Sequence, residues 1–188
     1  MKRIMYLGLV IVIAVIGGCS KVKQLANINI DIPYTAQISV PEFAGDTAGI
    51  GLPPEGVSLP FPAIPVITNS QQYVAQYKTS TDKIVSFDLT KMQVQITAPN
   101  GQNFDFMDSI AIYISANTQP QILVAYQYTI SKGQTTLVLN ITPNLNLKNY
   151  FIQDTMYFSI NTHVNAIPAS GTQLNISSSF HLLANPLD

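Results

Sequence analysis

The chain has 188 residues, enough for one domain with a substantial core, and only 10% of them are charged. Nine basic residues stand against ten acidic ones, and Arg3 is the one arginine. Nucleic-acid-binding domains are strongly basic and use arginine to hold phosphate, so this composition excludes a nucleic-acid partner. A single cysteine also excludes an internal disulfide, so stability must come from packing.

The N-terminal residues have the three parts of a secretory signal peptide. Residues 1–3 are basic, residues 4–16 form an apolar run, and two glycines precede Cys19. The run is shorter than the roughly 20 residues of a membrane-spanning helix, so we expect cleavage rather than retention. Removal of residues 1–18 leaves seven lysines, no arginine and ten acidic residues, a net charge of −3.

The cleavage site itself is the most specific motif in the chain. Ile16-Gly17-Gly18-Cys19 resembles the lipobox of bacterial lipoproteins. The resemblance implies that Cys19 receives a diacylglyceryl group and, after cleavage, an acyl chain such as palmitate on its amine. Two or three chains anchor a protein stably, at about 0.8 kcal/mol per buried methylene. Ser20, in place of an aspartate, implies transfer to the outer membrane, and the basic residues 20–23 favour its periplasmic leaflet over the cell surface.

A single domain, residues 26–188, follows a tether formed by residues 19–25. Six extended residues reach only about 20 Å, so the domain is expected to lie close to its membrane. Residues 26–40 alternate between apolar and polar side chains, which predicts a long half-buried strand. Pro33 cannot donate to a ladder and therefore predicts an edge strand. The apolar parity consists of Ile28, Ile30, Ile32, Tyr34, Ala36, Ile38 and Val40.

Residues 41–67 combine six of the twelve prolines with many apolar side chains. We interpret this stretch as a long Pro/Gly-rich loop packed on the domain, with Val57, Leu59 and Phe61 pointing inward to cover a sheet edge. A ligand site at this loop is the alternative. Residues 68–79 follow as the one predicted short helix, with Thr, Asn and Ser available for its N-terminal cap.

From residue 82 onward the chain predicts antiparallel strands. Val85 and Phe87 share one parity whereas Met92 and Val94 share the other, so a β-bulge is expected at Thr90-Lys91. Further inward-facing sets are Ile110, Ile112 and Ile114; Ile122, Val124, Tyr126 and Tyr128; Leu137, Leu139 and Ile141; Met156, Phe158, Ile160, Thr162 and Val164; and Leu174, Ile176, Ser178, Phe180 and Leu182. About seven strands and one short helix predict an all-β fold, an antiparallel two-sheet β-sandwich.

Neither histidine predicts a metal site. His163 and His181 fall on the polar parity of their strands, and metal ions need several ligands gathered together. If the last two strands pair, the two imidazoles would share an outer face, which keeps a metal alternative open. Asn103, Asp105 and Asp108 also cluster, but they lack the dense ligand spacing of a calcium loop. We therefore expect no metal and no cofactor.

Motifs for catalysis are missing as well. The chain has no Gly-x-Ser-x-Gly sequence, no opposed carboxylate pair worth naming, and no histidine near a candidate serine in sequence. We therefore expect no catalytic residues and no enzyme. A hydrolase would gain support if the fold brought His163 or His181 against a serine and a carboxylate.

Two kinds of surface residue are candidates for contact or modification. Tyr113 and Tyr157 occupy outward parities, where an aromatic ring could contact a sugar, although tryptophan is absent from the chain. Thr47, Ser109 and Thr155 each follow an aspartate and precede an aliphatic residue. This pattern resembles the acceptor of a bacterial O-glycosylation system.

The mature part resembles small β-sandwich lipoproteins in its layout. It has a cysteine anchor, a Pro/Gly-rich loop, a short helix and strands around the segment 100–106. The resemblance implies a sandwich at the outer membrane and transfers no catalytic residue. We expect a non-enzymatic structural or protein-interaction module, held by its lipid and contacting an envelope protein or polysaccharide. The alternative is a module that binds a small ligand, a sugar or a lipid.

Overall fold

A computed structural model describes residues 27–41 and 52–186. The predicted signal peptide, Cys19, the tether and Thr47 lie outside the described residues. The strands are β1 (Ile28–Ser39), β2 (Val57–Pro60), β3 (Ile64–Ile67), β4 (Ile84–Ala98), β5 (Met107–Ala116), β6 (Gln119–Gln127), β7 (Thr136–Val138), β8 (Asn140–Ile141), β9 (Thr155–Val164) and β10 (Gln173–Ala184). The helices are α1 (Ser70–Ala75) and α2 (Lys148–Phe151), with 3-10 turns at Thr81–Lys83 and Phe104–Phe106.

Two antiparallel sheets pack face to face. One has the order β1-β10-β4-β7, and the other has β2-β9-β5-β6-β8 with β3 also paired to β9. The predicted β-sandwich is confirmed. Ten strands and two helices are described where about seven strands and one helix were expected. The difference arises because residues 57–67 form two short strands and because residues 136–141 divide between the two sheets.

The strand order has a simple origin. β1 pairs with β10, β2 and β3 pair with β9, β4 pairs with β7, and β5 pairs with β6. These pairs are nested, so the chain forms one long hairpin with the β5–β6 turn at its tip. Rolling that hairpin up brings β10 beside β4 and β9 beside β5. The result is the jelly-roll topology of double-sheet proteins.

Two local predictions about the four-stranded sheet are confirmed. β1, which contains Pro33, is its edge strand. Along the β10–β4 pair, Ser179 lies opposite Lys91 and Phe180 lies opposite Leu89, so Thr90 is the extra residue of a β-bulge. The bulge exchanges the faces of β4, which keeps Phe87 before it and Met92 after it in the core. The inward position expected for Val85 is wrong: a second register shift between Ile84 and Ser86 leaves Val85 48% exposed and buries Ile84 instead.

The described part of the Pro/Gly-rich segment covers an edge of the six-stranded sheet. β2 pairs with Asn161–Val164 and β3 pairs with Thr155–Phe158, both on the outer side of β9. Phe61, between the two strands, is buried. The prolines fall at the exposed positions of these edge strands, where a missing N–H costs no ladder hydrogen bond.

Phenylalanine rings join α2 to the sandwich core. Phe87 stacks on Phe180 with ring centroids 4.7 Å apart and on Phe151 of α2 at 4.1 Å. All three side chains are fully buried. The Asn146 amide accepts from the Phe87 N–H at 3.2 Å and donates to the Val85 carbonyl at 3.0 Å. β7 pairs with β4 only at residues 93–95, so the Phe87 N–H and the Val85 carbonyl have no strand partner on that side. The Asn146 side chain takes the place of that partner.

Candidate functional site

The outer face of the six-stranded sheet carries both tyrosines that the sequence placed outward. Tyr113 of β5 lies opposite Ser159 of β9, and Ser115 lies opposite Tyr157. The two tyrosines are therefore diagonal neighbours on adjacent strands, a separation of about 7–8 Å between backbones. Their own neighbours along each strand are buried, so both rings lie on the solvent side of the sheet.

A second pair of tyrosines joins them, contrary to the prediction. Ile112 lies opposite Ala125 and Tyr113 lies opposite Leu123, so Val124 is the extra residue of a bulge in β6. Val124 and Ala125 are both buried, and the parity beyond them is reversed. Tyr126 and Tyr128, expected in the core, instead lie on the outer face. Tyr128 is 62% exposed, and the two rings stack with centroids 4.6 Å apart.

These four residues, Tyr113, Tyr126, Tyr128 and Tyr157, define what we call the tyrosine face. Among the described residues, none of the four hydroxyls makes a hydrogen bond. The structural tyrosines differ in this respect. Tyr34 donates to the Thr68 carbonyl at 3.2 Å, and Tyr150 donates to the Pro120 carbonyl at 2.8 Å. A buried tyrosine usually finds a partner for its hydroxyl, and the four hydroxyls of the tyrosine face have none in the described ranges.

The outer face of the four-stranded sheet carries polar side chains, some of which are held by hydrogen bonds. Gln37 donates to Gln173 at 2.9 Å, and the Ser86 hydroxyl donates to Asp88 at 2.6 Å. Thr90 donates to the Ser179 carbonyl at 2.9 Å. Gln93 and Gln95 on the same face make no side-chain hydrogen bond among the described residues, so pairing of polar groups does not separate the two outer faces. They differ in aromatic content, because the outward positions of β1, β4, β7 and β10 carry no tyrosine.

His163 lies on the same outer face, at the end of β9. Its Nδ1 is 3.2 Å from an Asp108 carboxylate oxygen, and the other oxygen of that carboxylate accepts from the Asn165 amide. Gly56 covers the imidazole from the loop before β2. Asp108 occupies a bulge between Met107 and Ser109, which turns its side chain toward the histidine. The partner is 55 residues away in sequence, so inspection of the neighbouring residues could not find it.

His181 lies on the opposite side of the molecule. Its Nδ1 is 2.9 Å from an Asp31 carboxylate oxygen, and its Nε2 is 3.1 Å from the Asn29 side-chain oxygen. The shared face considered for the two histidines is wrong, because β9 and β10 belong to different sheets. Within residues 27–41 and 52–186, no three His, Cys, Asp or Glu side chains gather as a metal ion would require.

The cluster of Asn103, Asp105 and Asp108 is divided among three local tasks. The Asn103 side chain accepts from the Asp105 N–H at 3.0 Å and caps the 3-10 turn. Asp105 accepts from the Gly133 N–H at 2.6 Å and fixes the β6–β7 loop, and Asp108 holds His163. Their oxygens serve different partners and do not converge on one point.

The arrangement required of a hydrolase is incomplete in the described residues. Each histidine has a carboxylate at Nδ1, but no hydrogen bond in this part of the chain joins either imidazole to a serine.

Of the proposed glycosylation acceptors, Ser109 is half-buried on β5 and Thr155 is half-buried at the first residue of β9. Glycosylation of Thr47, Ser109 and Thr155 stays a prediction.

A polar groove lies at the junction of β3 and α1. It has a volume of 390 Å³ and is lined by residues 67–72 together with Asp154. Thr68, buried at its base, donates through its hydroxyl to the Gln153 carbonyl. Asn69 adopts a left-handed conformation with φ of 50° and starts a helix of six residues.

No helix in the described ranges has the length and apolar character needed to cross a membrane.

Comparisons with known proteins give distant likenesses alone. No protein family matches the sequence, and no curated protein matches it. A chain of Desmodium yellow mottle tymovirus is 16% identical, with 86% of this chain and 91% of that chain covered and a TM-score of 0.27. The decameric BFDV capsid protein is 8% identical, with 84% and 97% covered and a TM-score of 0.34. Turnip yellow mosaic virus gives 10% identity, 86% and 96% coverage, and 0.25. Scores this low carry no argument about this chain's function.

Proposed function

We propose that this protein is a non-enzymatic, lipid-anchored protein of the bacterial cell envelope that works as a structural or interaction module. The observation that carries the proposal is the difference between the two outer faces of the sandwich. The outward positions of the four-stranded sheet carry no tyrosine, whereas the tyrosine face presents four tyrosine rings, two of them stacked. We therefore place the contact with the envelope partner, a protein or a polysaccharide, on the tyrosine face.

The anchor in this proposal is the lipid on Cys19. The lipobox-like sequence supports it, and β1 begins at Ile28, so only a short tether separates the domain from the membrane. The location that follows is the outer membrane, at its periplasmic leaflet. The variant Cys19→Ala should lose the lipid and move from the membrane pellet to the soluble fraction, and Ser20→Ala is the matched control that should still pellet. Recovery of Cys19→Ala with the membranes would contradict the anchor.

The interaction role is tested by co-purification of the full-length lipidated protein from its own envelope after mild cross-linking. Tyr113→Ala and Tyr126→Ala should lose the partner that the native protein retains. Tyr77→Ala is the matched control, because Tyr77 is 45% exposed but lies after α1, away from the tyrosine face. A partner retained equally by all three variants would place the contact elsewhere, and no reproducible partner would count against the proposal.

A second candidate is a small-ligand module that binds a sugar or a lipid. The tyrosine face also favours this reading, because amphipathic rings suit a ligand with both apolar and polar surfaces. The groove of residues 67–72 is a second possible ligand site, and the Pro/Gly-rich segment contributes to it through Ile67 at the end of β3. A lipid would need a continuous apolar surface, whereas Ser115 and Ser159 lie directly opposite Tyr157 and Tyr113 across the β5–β9 pair.

A further inference from the structure

We propose that the tyrosine face binds a neutral glycan, in a furrow that runs along β5. This inference rests on the proposed function, since it names the partner of the same surface. The register of β5 with its two neighbouring strands defines the furrow. Ala111 lies opposite Tyr126 on β6 and opposite Asn161 on β9, and Ser109 lies opposite His163.

Small side chains form the floor of the furrow and larger ones form its walls. Ser109 and Ala111 of β5 are short, while the stacked Tyr126 and Tyr128 rise on one side and Asn161 with His163 on the other. The two walls are two strand spacings apart, or about 10 Å. Tyr113 closes one end of the floor, because it follows Ala111 by two residues on the same face. A channel of this width accepts a sugar chain lying along the strand.

The chemistry of the walls fits a sugar. A pyranose ring has apolar C–H faces that pack on aromatic rings and hydroxyls that need both donors and acceptors. The furrow offers tyrosine rings together with the unpaired hydroxyls of Tyr126 and Ser109 and the unpaired amide of Asn161, as judged among the described residues. Tyrosine supplies rigid contact area at a low entropy cost, and amide groups supply adaptable hydrogen bonds.

Charge decides which glycan is favoured. The outward positions of β5, β6 and β9 carry no lysine, and the chain has no arginine beyond residue 3. The one carboxylate at the furrow, Asp108, is engaged by His163 and Asn165. The His163 imidazole in the wall already has the Asp108 carboxylate beside its Nδ1. Without a lysine or an arginine, a phosphate-, sulfate- or uronate-bearing polymer would lose its water shell with no strong ion pair in return. A neutral sugar carries no such penalty.

The alternation of side chains also separates a glycan from a protein partner. The energy of a protein interface is concentrated at a closely packed apolar centre from which water is excluded. Here Ser115 lies opposite Tyr157 and Ser159 lies opposite Tyr113, so serines alternate with these tyrosines on the same face. Polar groups interspersed with rings make a wet surface, which suits a hydroxylated ligand better than a dry interface.

The test is isothermal titration of the full-length protein in detergent. The neutral probes are maltohexaose, cellohexaose, mannohexaose and N-acetylchitohexaose, together with the neutral polysaccharide fraction of the native envelope. A hyaluronan hexasaccharide is the anionic probe. We expect saturable binding to at least one neutral probe and at least tenfold weaker binding of the anionic one. Tyr126→Ala and Tyr113→Ala should weaken that binding at least tenfold, whereas Tyr77→Ala should leave it unchanged.

Three results would overturn the inference. The first is no saturable binding to any neutral probe, and the second is tighter binding of hyaluronan. The third is neutral binding that Tyr126→Ala and Tyr113→Ala do not alter while their circular dichroism remains native. If the titrations fail but cross-linking captures a protein partner that depends on Tyr126, the neutral-glycan assignment is wrong and the interaction role of the tyrosine face stands.

Discussion

Replacement of Gly56 by alanine tests how tightly the loop before β2 closes on His163. Gly56 has φ of 74°, in the left-handed region, and its N–H donates to the Pro53 carbonyl at 2.8 Å. A Cβ at this position would lie 2.6 Å from both His163 Cε1 and the Val164 carbonyl oxygen. A side chain could move aside, but Val164 belongs to a buried strand of the sheet and its carbonyl cannot.

Two costs add in the Gly56→Ala variant. A left-handed conformation costs an ordinary L-residue about 1–2 kcal/mol. Inserting a methyl group into a closely packed site costs about 1–3 kcal/mol more. We therefore expect the free energy of unfolding to fall by about 2–5 kcal/mol in total. Gly171 separates the two terms, because it also has φ of 74° but no atom within 4 Å of an added Cβ. Gly171→Ala should lose the first term alone.

The measurement is urea unfolding of the full-length protein, followed by far-ultraviolet circular dichroism, for both variants and the native chain. Gly56→Ala should be less stable than Gly171→Ala by about 1 kcal/mol or more. Adding His163→Ala to Gly56→Ala should restore part of the lost stability, because the contact with the imidazole is removed. The restoration should be incomplete, because the contact with the Val164 carbonyl remains. Equal stability of Gly56→Ala and Gly171→Ala would refute the close contact.

Two further predictions concern aromatic rings that pack against the core. Burial, with a smaller effect of Tyr73, raises the pKa of the Tyr34 hydroxyl well above its usual range. The unfolded chain therefore releases this proton above about pH 10 while the folded chain retains it, so the native protein should lose stability as pH rises. Tyr34→Phe should lower the free energy of unfolding by about 1 kcal/mol near neutral pH, because the hydrogen bond to the Thr68 carbonyl is lost. Between about pH 9 and 11, urea titrations should show that Tyr34→Phe loses less stability than the native chain. Equal losses in the two proteins would contradict the argument. Phe87→Leu should cost about 1–3 kcal/mol, since two stacked contacts are broken. Phe158→Leu, at a similarly buried ring without a stacked partner in the described part, should cost less in the same assay, and an equal loss would show that the stack adds nothing.

Faces of strands could be predicted wherever polar and apolar residues alternate. The bulge at Thr90 was visible because Phe87 and Met92 are strongly apolar and stand on opposite parities. The bulge at Val124 gave no such sign. Ile122, Val124, Tyr126 and Tyr128 continue one apparent parity, and tyrosine is stable on either face of a sheet. Half of the tyrosine face was therefore assigned to the core.

The partners of strands could not be predicted from alternation. β9 and β10 are consecutive, yet the rolled hairpin sends them to different sheets, so His163 and His181 lie on opposite outer faces although they are close in the chain. Asp108 and Asp31, which hold the two histidines, come from strands distant in sequence. Register between non-consecutive strands depends on the packing of the whole domain, and a period-two pattern contains no information about it.

The pairing of β1 with β10 has a consequence for how the protein is made. Ile28 lies opposite Ala184, so the first strand of the domain has no partner until the last strand has been synthesised. Contacts this remote in sequence form slowly, because a long loop must close before any of them is gained. A chain exported from its N-terminus would thus cross the membrane unfolded and would close its sandwich only after release.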